Sequence, residues 1–258
     1  MKNPIIAAAL ALGLTACVAN PAGSAPAPVP EISVAPMITI YHLEGRRSER
    51  VVWLMEELGL PYDLKYKRGD LRGSMAMVHA LGHEMPMVPT VVIEDQILVE
   101  SGAIIETILT RYAPGELTPE ISSDDYPVHL MWTHYAEGSL AARLFSDYRA
   151  WRTNPPTERS MFVDSEAVVQ FAENHLKAKP WFGGQEFSSA DIMMFFPLNV
   201  ATGLNLVDET KFPSIASWKE KVQSRPAYQR MLAVARPDGM IGSLPPIEVR
   251  PPSERNPR

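Results

Sequence analysis

The sequence predicts an α/β domain of order β-α-β-α-β-β-α over residues 37–113, a linker over 114–125, and an all-α domain over 126–235. Three observations carry this. Short β-rich runs and amphipathic stretches alternate in the first part. Two of those runs, inside VPTVVIEDQILVES from Val88 to Ser101, are separated only by Glu94-Asp95-Gln96 and read as a hairpin. Beyond Tyr126 the apolar residues recur at helical spacing.

Taken in order, Met37–Leu43 is a β-rich run suited to a buried strand. Ser48 is placed to cap a helix with Glu49 in its first turn. Val51, Val52, Leu54, Met55 and Leu58 supply its apolar face, and Gly59 and Pro61 stop it. YDLKYKR alternates and reads as a second strand, whereas residues 71–85 are rich in glycine and methionine and predict a short irregular helix and a loop. Strands follow at Thr90–Ile93 and Ile97–Val99, then a helix over SGAIIETILTRY with Ile104, Ile105, Ile108 and Leu109 on its stripe. The first half favours a parallel crossover and the last two strands an antiparallel pair.

In the second domain, Val128, Met131, Trp132, Tyr135, Ser139 and Ala142 fall on one face of a long helix, and Met161, Val168, Phe171, Ala172, His175 and Leu176 suggest another. Ser188-x-x-Asp191 fits a capping box ahead of an apolar helix, with Phe187 placed as a staple. Two shorter helices follow, broken at Pro226.

Composition narrows the function. An apolar content of 46% supports a real core over this length. A net charge of −6 argues against nucleic acid as a partner. Cys17 is the one cysteine, so internal disulfides and dithiol redox chemistry by this chain are excluded. His79 and His83 stand four apart but read as ordinary surface or loop histidines, and no metal is expected.

The ends read as something other than fold. Lys2 followed by the apolar run Ile5–Leu14 is a secretory signal pattern over residues 1–16. Leu14-Thr15-Ala16-Cys17 resembles a bacterial lipobox, which implies cleavage before Cys17 and lipidation there. The expected location is then the bacterial cell envelope on the periplasmic side, with the lipid as the only membrane contact. A plain signal peptide, or a cytoplasmic protein with a misassigned start, is the alternative. Residues 17–36 are rich in Pro and Ala and read as a tether. Residues 236–258 are Pro-rich and expected to be disordered, or to lie along the surface as a strap.

ITIYHLEGRRSERVVWLMEELGLPYDL and MVPTVVIEDQILVESGAIIETILTRY together resemble the N-terminal domain of the glutathione transferase family, and the capping box resembles the one in that family's helical domain. The resemblance implies a thioredoxin-like first domain, glutathione as co-substrate, a hydrophobic electrophile as its target, and a homodimer. It also implies roles. The Val88–Pro89 bond would be cis, with the Val88 backbone pairing to the cysteinyl part of glutathione as an added strand. Ser101, at a helix N-terminus that favours anions, would hold the γ-glutamyl carboxylate and Glu100 its ammonium.

The catalytic group departs from the family pattern. A free thiol titrates near about 8.5, so a neighbour is needed to stabilise the thiolate. In LEGRRSERVVW the usual hydroxyl position, four residues before Arg50, is Arg46. Ser48 is the only hydroxyl in the loop and is the candidate thiolate donor, against a plain helix cap; Arg46 or Arg47 could act by charge instead. In ALGHEMPMVP the family's lysine ahead of the Val-Pro pair is missing, with His83 as a weak substitute. Three functions stay open: conjugation to an electrophile, a non-catalytic module binding glutathione or a protein, and glutathione-dependent reduction, isomerisation or dehalogenation.

Overall fold

The computed structural model describes residues 37–155 and 164–248. The signal, Cys17, the tether, Met161 and the last ten residues of the tail lie outside that range. The first part is β1 (Ile38–Tyr41), α1 (Glu49–Leu58), β2 (Asp63–Lys65), α2 (Leu71–His79), β3 (Thr90–Ile93), β4 (Gln96–Val99) and α3 (Ser101–Tyr112). This is the β-α-β-α-β-β-α order of a thioredoxin-like domain. The sheet order is β2-β1-β3-β4, with β1 and β2 parallel and the other two pairs antiparallel. Ile38 and Ile40 of β1 and Val91 and Ile93 of β3 are buried against Val51, Val52, Leu54 and Met55 of α1 and the isoleucines of α3.

Register decides what lies at each end of the sheet. Tyr41 pairs with Thr90, and Thr90 with Val99. The loop leaving β1, the Val88–Pro89 pair entering β3 and the Glu100–Ser101 pair leaving β4 therefore meet at one end.

The remainder is helical: α4 (Asp125–Tyr135), a π-helical segment (Ala136–Ala141), α5 (Ala142–Thr153), α6 (Ser165–Ala178), α7 (Ser189–Gly203), a 3-10 turn (Glu209–Lys211), α8 (Pro213–Gln223) and α9 (Pro226–Ala235). The π segment corrects the expected face of the long helix. Ser139 and Ala142, within and after it, are exposed, and the buried positions are Trp132, Ala136, Leu140 and Leu144; Met131, ahead of the π segment, is exposed as well. A π turn closes on the fifth residue rather than the fourth, so it rotates everything after it off a 3.6-residue period.

The capping box before α7 forms. Ser188 Oγ accepts from Ala190 N–H at 3.2 Å, and Asp191 Oδ2 accepts from Ser188 N–H at 3.0 Å. Asp191 is fully buried and also accepts from Phe182 N–H (2.9 Å) and Trp218 Nε1 (2.8 Å). Burial raises its pKa to about 6 against those hydrogen bonds. Phe187 packs on Trp53 and Trp181.

Of the tail, residues 236–248 take the second of the two expected forms. They form a strap without regular secondary structure, fastened at its far end. There Ile247 is buried, its N–H donates to Leu204 O at 3.1 Å, and its carbonyl accepts from Asn205 Nδ2 at 3.0 Å. Tyr148 of α5 donates its hydroxyl to Pro245 O at 2.8 Å.

Candidate active site

The hairpin ends leave backbone polar groups open. The Val88–Pro89 bond is cis, Pro89 is buried and Val88 half-buried. The N–H and C=O of Val88 make no hydrogen bond among the described residues, so an extended peptide can pair with them. At the other end Glu100 is exposed and takes a left-handed backbone (φ 72°), which turns the chain sharply into α3. The first-turn N–H groups of α3 have no intrahelical acceptor and face the same end of the sheet.

Ser101 is buried, and its hydroxyl accepts from Arg50 Nη1 at 3.0 Å. Arg50, also buried, donates through Nη2 to Met193 O at 2.6 Å and pairs with Glu137. Glu137 accepts two hydrogen bonds from Arg47 as well, at 2.8 and 2.9 Å. Burial lowers the Arg50 pKa to about 10, opposed by the Glu137 charge, so it stays a cation at neutral pH. Burial also disfavours the Glu137 anion, but the hydrogen bonds and charges of the two arginines outweigh it and hold the pKa below the usual carboxylate range. Sequence reading gave neither Arg50 nor Glu137 a role. A lone arginine opening an otherwise apolar helix face was the available signal for Arg50. Glu137 had none, because the π segment aims it.

The loop after β1 is folded inward. Ser48 is fully buried, its backbone is helical, and its side chain does not cap α1. Its Oγ lies 2.9 Å from His42 Nδ1 and accepts from Leu43 N–H at 3.1 Å. His42 Nε2 sits 2.6 Å from the carbonyl of Ala235, which can only accept. Nε2 therefore carries the proton, and Nδ1 accepts from Ser48. Burial is the largest cause holding the His42 pKa down at about 4, so the ring is neutral at ordinary pH. The hydroxyl expected to donate to a thiolate thus faces the interior, bonded to His42 and Leu43, and Ser48 does not line the cavity described next. His83 accepts from the N–H of Met85 in its own loop at 3.1 Å.

A cavity of about 460 Å³ opens beside this loop, within the range of small-molecule sites. Trp53, Phe145, Phe195, Phe196 and Tyr228 give it an aromatic lining, and Arg46, Arg47, Arg50 and Arg236 give it positive charge. Arg47 lies over the rings of Phe145 and Phe196 at 5.2 and 5.0 Å. Arg47 and Arg50 pair with Glu137, and Arg236 with Glu49. Arg46 has no carboxylate within ion-pair distance among the described residues. It donates only to backbone carbonyls, of Glu44 (3.4 Å), Gly45 (3.2 Å) and Gly242 (2.6 Å).

Residues 40–116 match the glutathione S-transferase N-terminal domain model and residues 161–226 the C-terminal one, together more than half of the chain. The chain belongs to the glutathione transferase family. Glutathione S-transferase 3 of Schizosaccharomyces pombe is 28% identical over 210 residues, covering 74% of this chain and 85% of that protein. The disulfide-bond oxidoreductase YfcG of Escherichia coli is 24% identical over 212 residues, covering 78% and 96%. Among solved structures, a glutathione S-transferase from Actinobacillus pleuropneumoniae superposes with a TM-score of 0.68 at 28% identity, covering 77% of this chain and 93% of that one. The transferase URE2P6 of Phanerochaete chrysosporium, solved with oxidized glutathione, shares the fold at a TM-score of 0.60 and 21% identity over 76% and 94% of the two chains. Within this family's frame, the chain carries an arginine-lined pocket on the loop after β1, at the end of the sheet where Val88 and the α3 N-terminus lie.

Proposed function

We propose that this chain is a glutathione transferase that directs the thiolate of glutathione at a small hydrophobic electrophile. The observation that carries the reading is the unpaired Val88 backbone beside the open N-terminus of α3, at the end of the sheet where the aromatic cavity begins. The cysteinyl backbone of glutathione pairs with Val88. Its γ-glutamyl carboxylate sits on the α3 N-terminus with Ser101, and Glu100 meets its ammonium. The Arg46 guanidinium, with no carboxylate within ion-pair distance among the described residues, favours the thiolate over the thiol by charge. The thiol proton leaves to solvent, the sulfur forms a bond to the electrophilic carbon, and the leaving group departs with its electron pair.

The test follows thiolate absorbance of bound glutathione against pH, with calorimetry for affinity. Arg46→Leu should move the bound thiol back toward about 8.5 with binding retained. A thiol that titrates alike in both proteins sinks the role of Arg46, and no binding at all sinks the recognition reading.

Two observations favour other readings. The inward Ser48 hydroxyl favours a module that binds glutathione without turnover. The likeness to a disulfide-bond oxidoreductase favours attack of the same thiolate on sulfur, giving a mixed disulfide. Assays with an aryl halide and with a small disulfide separate the three. The pattern ending at Cys17 supports envelope anchoring, which mass spectrometry of the mature N-terminus tests as a diacyl or triacyl Cys17. A homodimer is proposed on the family resemblance, with sedimentation as its check.

A further inference from the structure

The stretch from α2 to Val88 is crowded with methionine and histidine: Met75, Met77, His79, His83, Met85 and Met87. Among the described residues no group of three or more His, Cys, Asp or Glu side chains gathers, so none is built there for zinc or a harder ion. Methionine thioethers are a different kind of donor. Together with an imidazole they form a soft set, of the kind that selects Cu(I).

The loop between α2 and β3 brings three of these side chains close along the chain. His83, Met85 and Met87 alternate. Gly82, left-handed at φ 71°, turns the chain out of α2, and the chain bends again at Glu84 and Met85. A straight chain would hold His83 and Met87 about 14 Å apart. The bend shortens that span, and flexible thioether side chains can cover the rest. Met85 and Met87 are 58% and 38% exposed, so their sulfurs are not committed to a core. Met75 and Met77 are half-buried on α2 and stand about 200° apart around it, which keeps them from sharing one ion.

The imidazole is already oriented by its own loop. His83 Nδ1 lies 3.1 Å from the Met85 nitrogen and 3.2 Å from the Met85 carbonyl. With its proton on Nδ1 the ring donates to that carbonyl, and Nε2 keeps a free lone pair for a metal. Charge is favourable as well. From Leu81 to Pro89 the loop holds no lysine or arginine, and Glu84 is exposed within it. The lysine that the family pattern puts ahead of the Val-Pro pair would repel a cation here, and it is missing.

We propose that His83, Met85 and Met87 bind one Cu(I) ion, through Nε2 and two thioether sulfurs, on the loop that leads into the cis Val88–Pro89 bond. This corrects the expectation from histidine spacing alone, which left the methionines out of the donor set. The site goes beyond the transferase reading and requires no glutathione.

The probe is Cu(I) kept reduced with ascorbate and presented as its bicinchoninate complex, whose loss of colour follows transfer to the protein. The full chain carries Cys17→Ser throughout, because a free thiol would itself take the ion, and glutathione is left out. One equivalent should move to the protein. Met85→Leu with Met87→Leu, which keeps volume and apolarity, should weaken the ion roughly a hundredfold, and His83→Gln roughly tenfold. Met131→Leu, at an exposed methionine on α4, should change nothing. Ag(I), a redox-inert stand-in, should shift the ε-methyl resonances of Met85 and Met87 and leave those of the other methionines in place. The metal-free double variant should unfold at the parent's urea midpoint, and His83→Gln carries the test if it does not. Failure of the parent to take Cu(I) from the chelator overturns the proposal. So does equal affinity in parent and variants, or a silver shift centred on other methionines.

Discussion

Two stretches meet at the same end of the sheet and treat their polar groups in opposite ways. The hairpin ends leave them open: Val88 offers an unpaired N–H and C=O, Glu100 is exposed, and the first turn of α3 has N–H groups to spare. The loop from His42 to Arg50 spends them. His42, Ser48, Glu49 and Arg46 are bonded to the chain, three of them to residues at or beyond Ala235. The open groups of the hairpin ends therefore rest on local backbone geometry, whereas the arrangement of the loop depends on where the far end of the chain lies.

The largest break in this comparison comes from Arg50, which joins the two stretches through Ser101 and Glu137. Arg50→Met should cost about 3 kcal/mol, because the buried Ser101 hydroxyl and Met193 carbonyl lose their donor and Glu137 loses one of its two arginines. Urea unfolding measures the loss, and glutathione affinity should fall with it. Unfolding at the wild-type midpoint would mean the two stretches are independent.

Of the two stretches, the loop is the one on which acid should act. His42 titrates at about 4 in the folded chain against 6.5 when exposed. Between those values the unfolded chain binds more protons, so the contribution of His42 is complete above pH 6.5 and is lost as the pH falls to 4, up to about 3 kcal/mol. His129, also lowered to about 4, adds in the same direction, and Asp191, raised to about 6, opposes it. His42→Gln should flatten the acid limb of stability. In wild type, hydrogen exchange should quicken first at Leu43 and the strap root, before Thr90–Ile93. Simultaneous loosening of both regions would erase the contrast.

Ser48→Ala should cost about 2 kcal/mol, because His42 Nδ1 and Leu43 N–H lose a buried partner. The ionisation of bound glutathione should stay where it was. A thiol shifted upward would restore Ser48 as its donor. The smallest effect is expected at the open end. Glu100→Gln should weaken glutathione by about threefold and leave stability unchanged, since an exposed charge contributes about 1 kcal/mol or less. Salt titration of the affinity gives the check.

The element order, the hairpin, the capping box and the placing of Val88–Pro89 and Glu100–Ser101 at the two ends of the hairpin were legible because each is set by neighbours in the chain. Turn chemistry, strand alternation and a cap need only a few residues of context. The inward direction of Ser48 was not legible. As a local signal it is a helix cap or a loop hydroxyl, and its place is decided by contacts with Leu43 and with His42, whose other ring nitrogen meets the distant carbonyl of Ala235. The face after Tyr135 was misread because a π segment has no sequence period of its own.

The sequence by itself determined the fold class, the hairpin from Thr90 to Val99 with Val88–Pro89 and Glu100–Ser101 at its ends, and the absence of a hydroxyl at the position of Arg46. Only the tertiary structure decided that Arg50 and Glu137 knit the site together, that Ser48 faces the core, and that residues 236–248 are fastened as a strap. The physical reason is range. Propensity and periodicity act over a few residues, while a buried hydroxyl, a buried ion pair and a fastened strap are defined by partners some 50 to 200 positions away, which packing alone brings into reach.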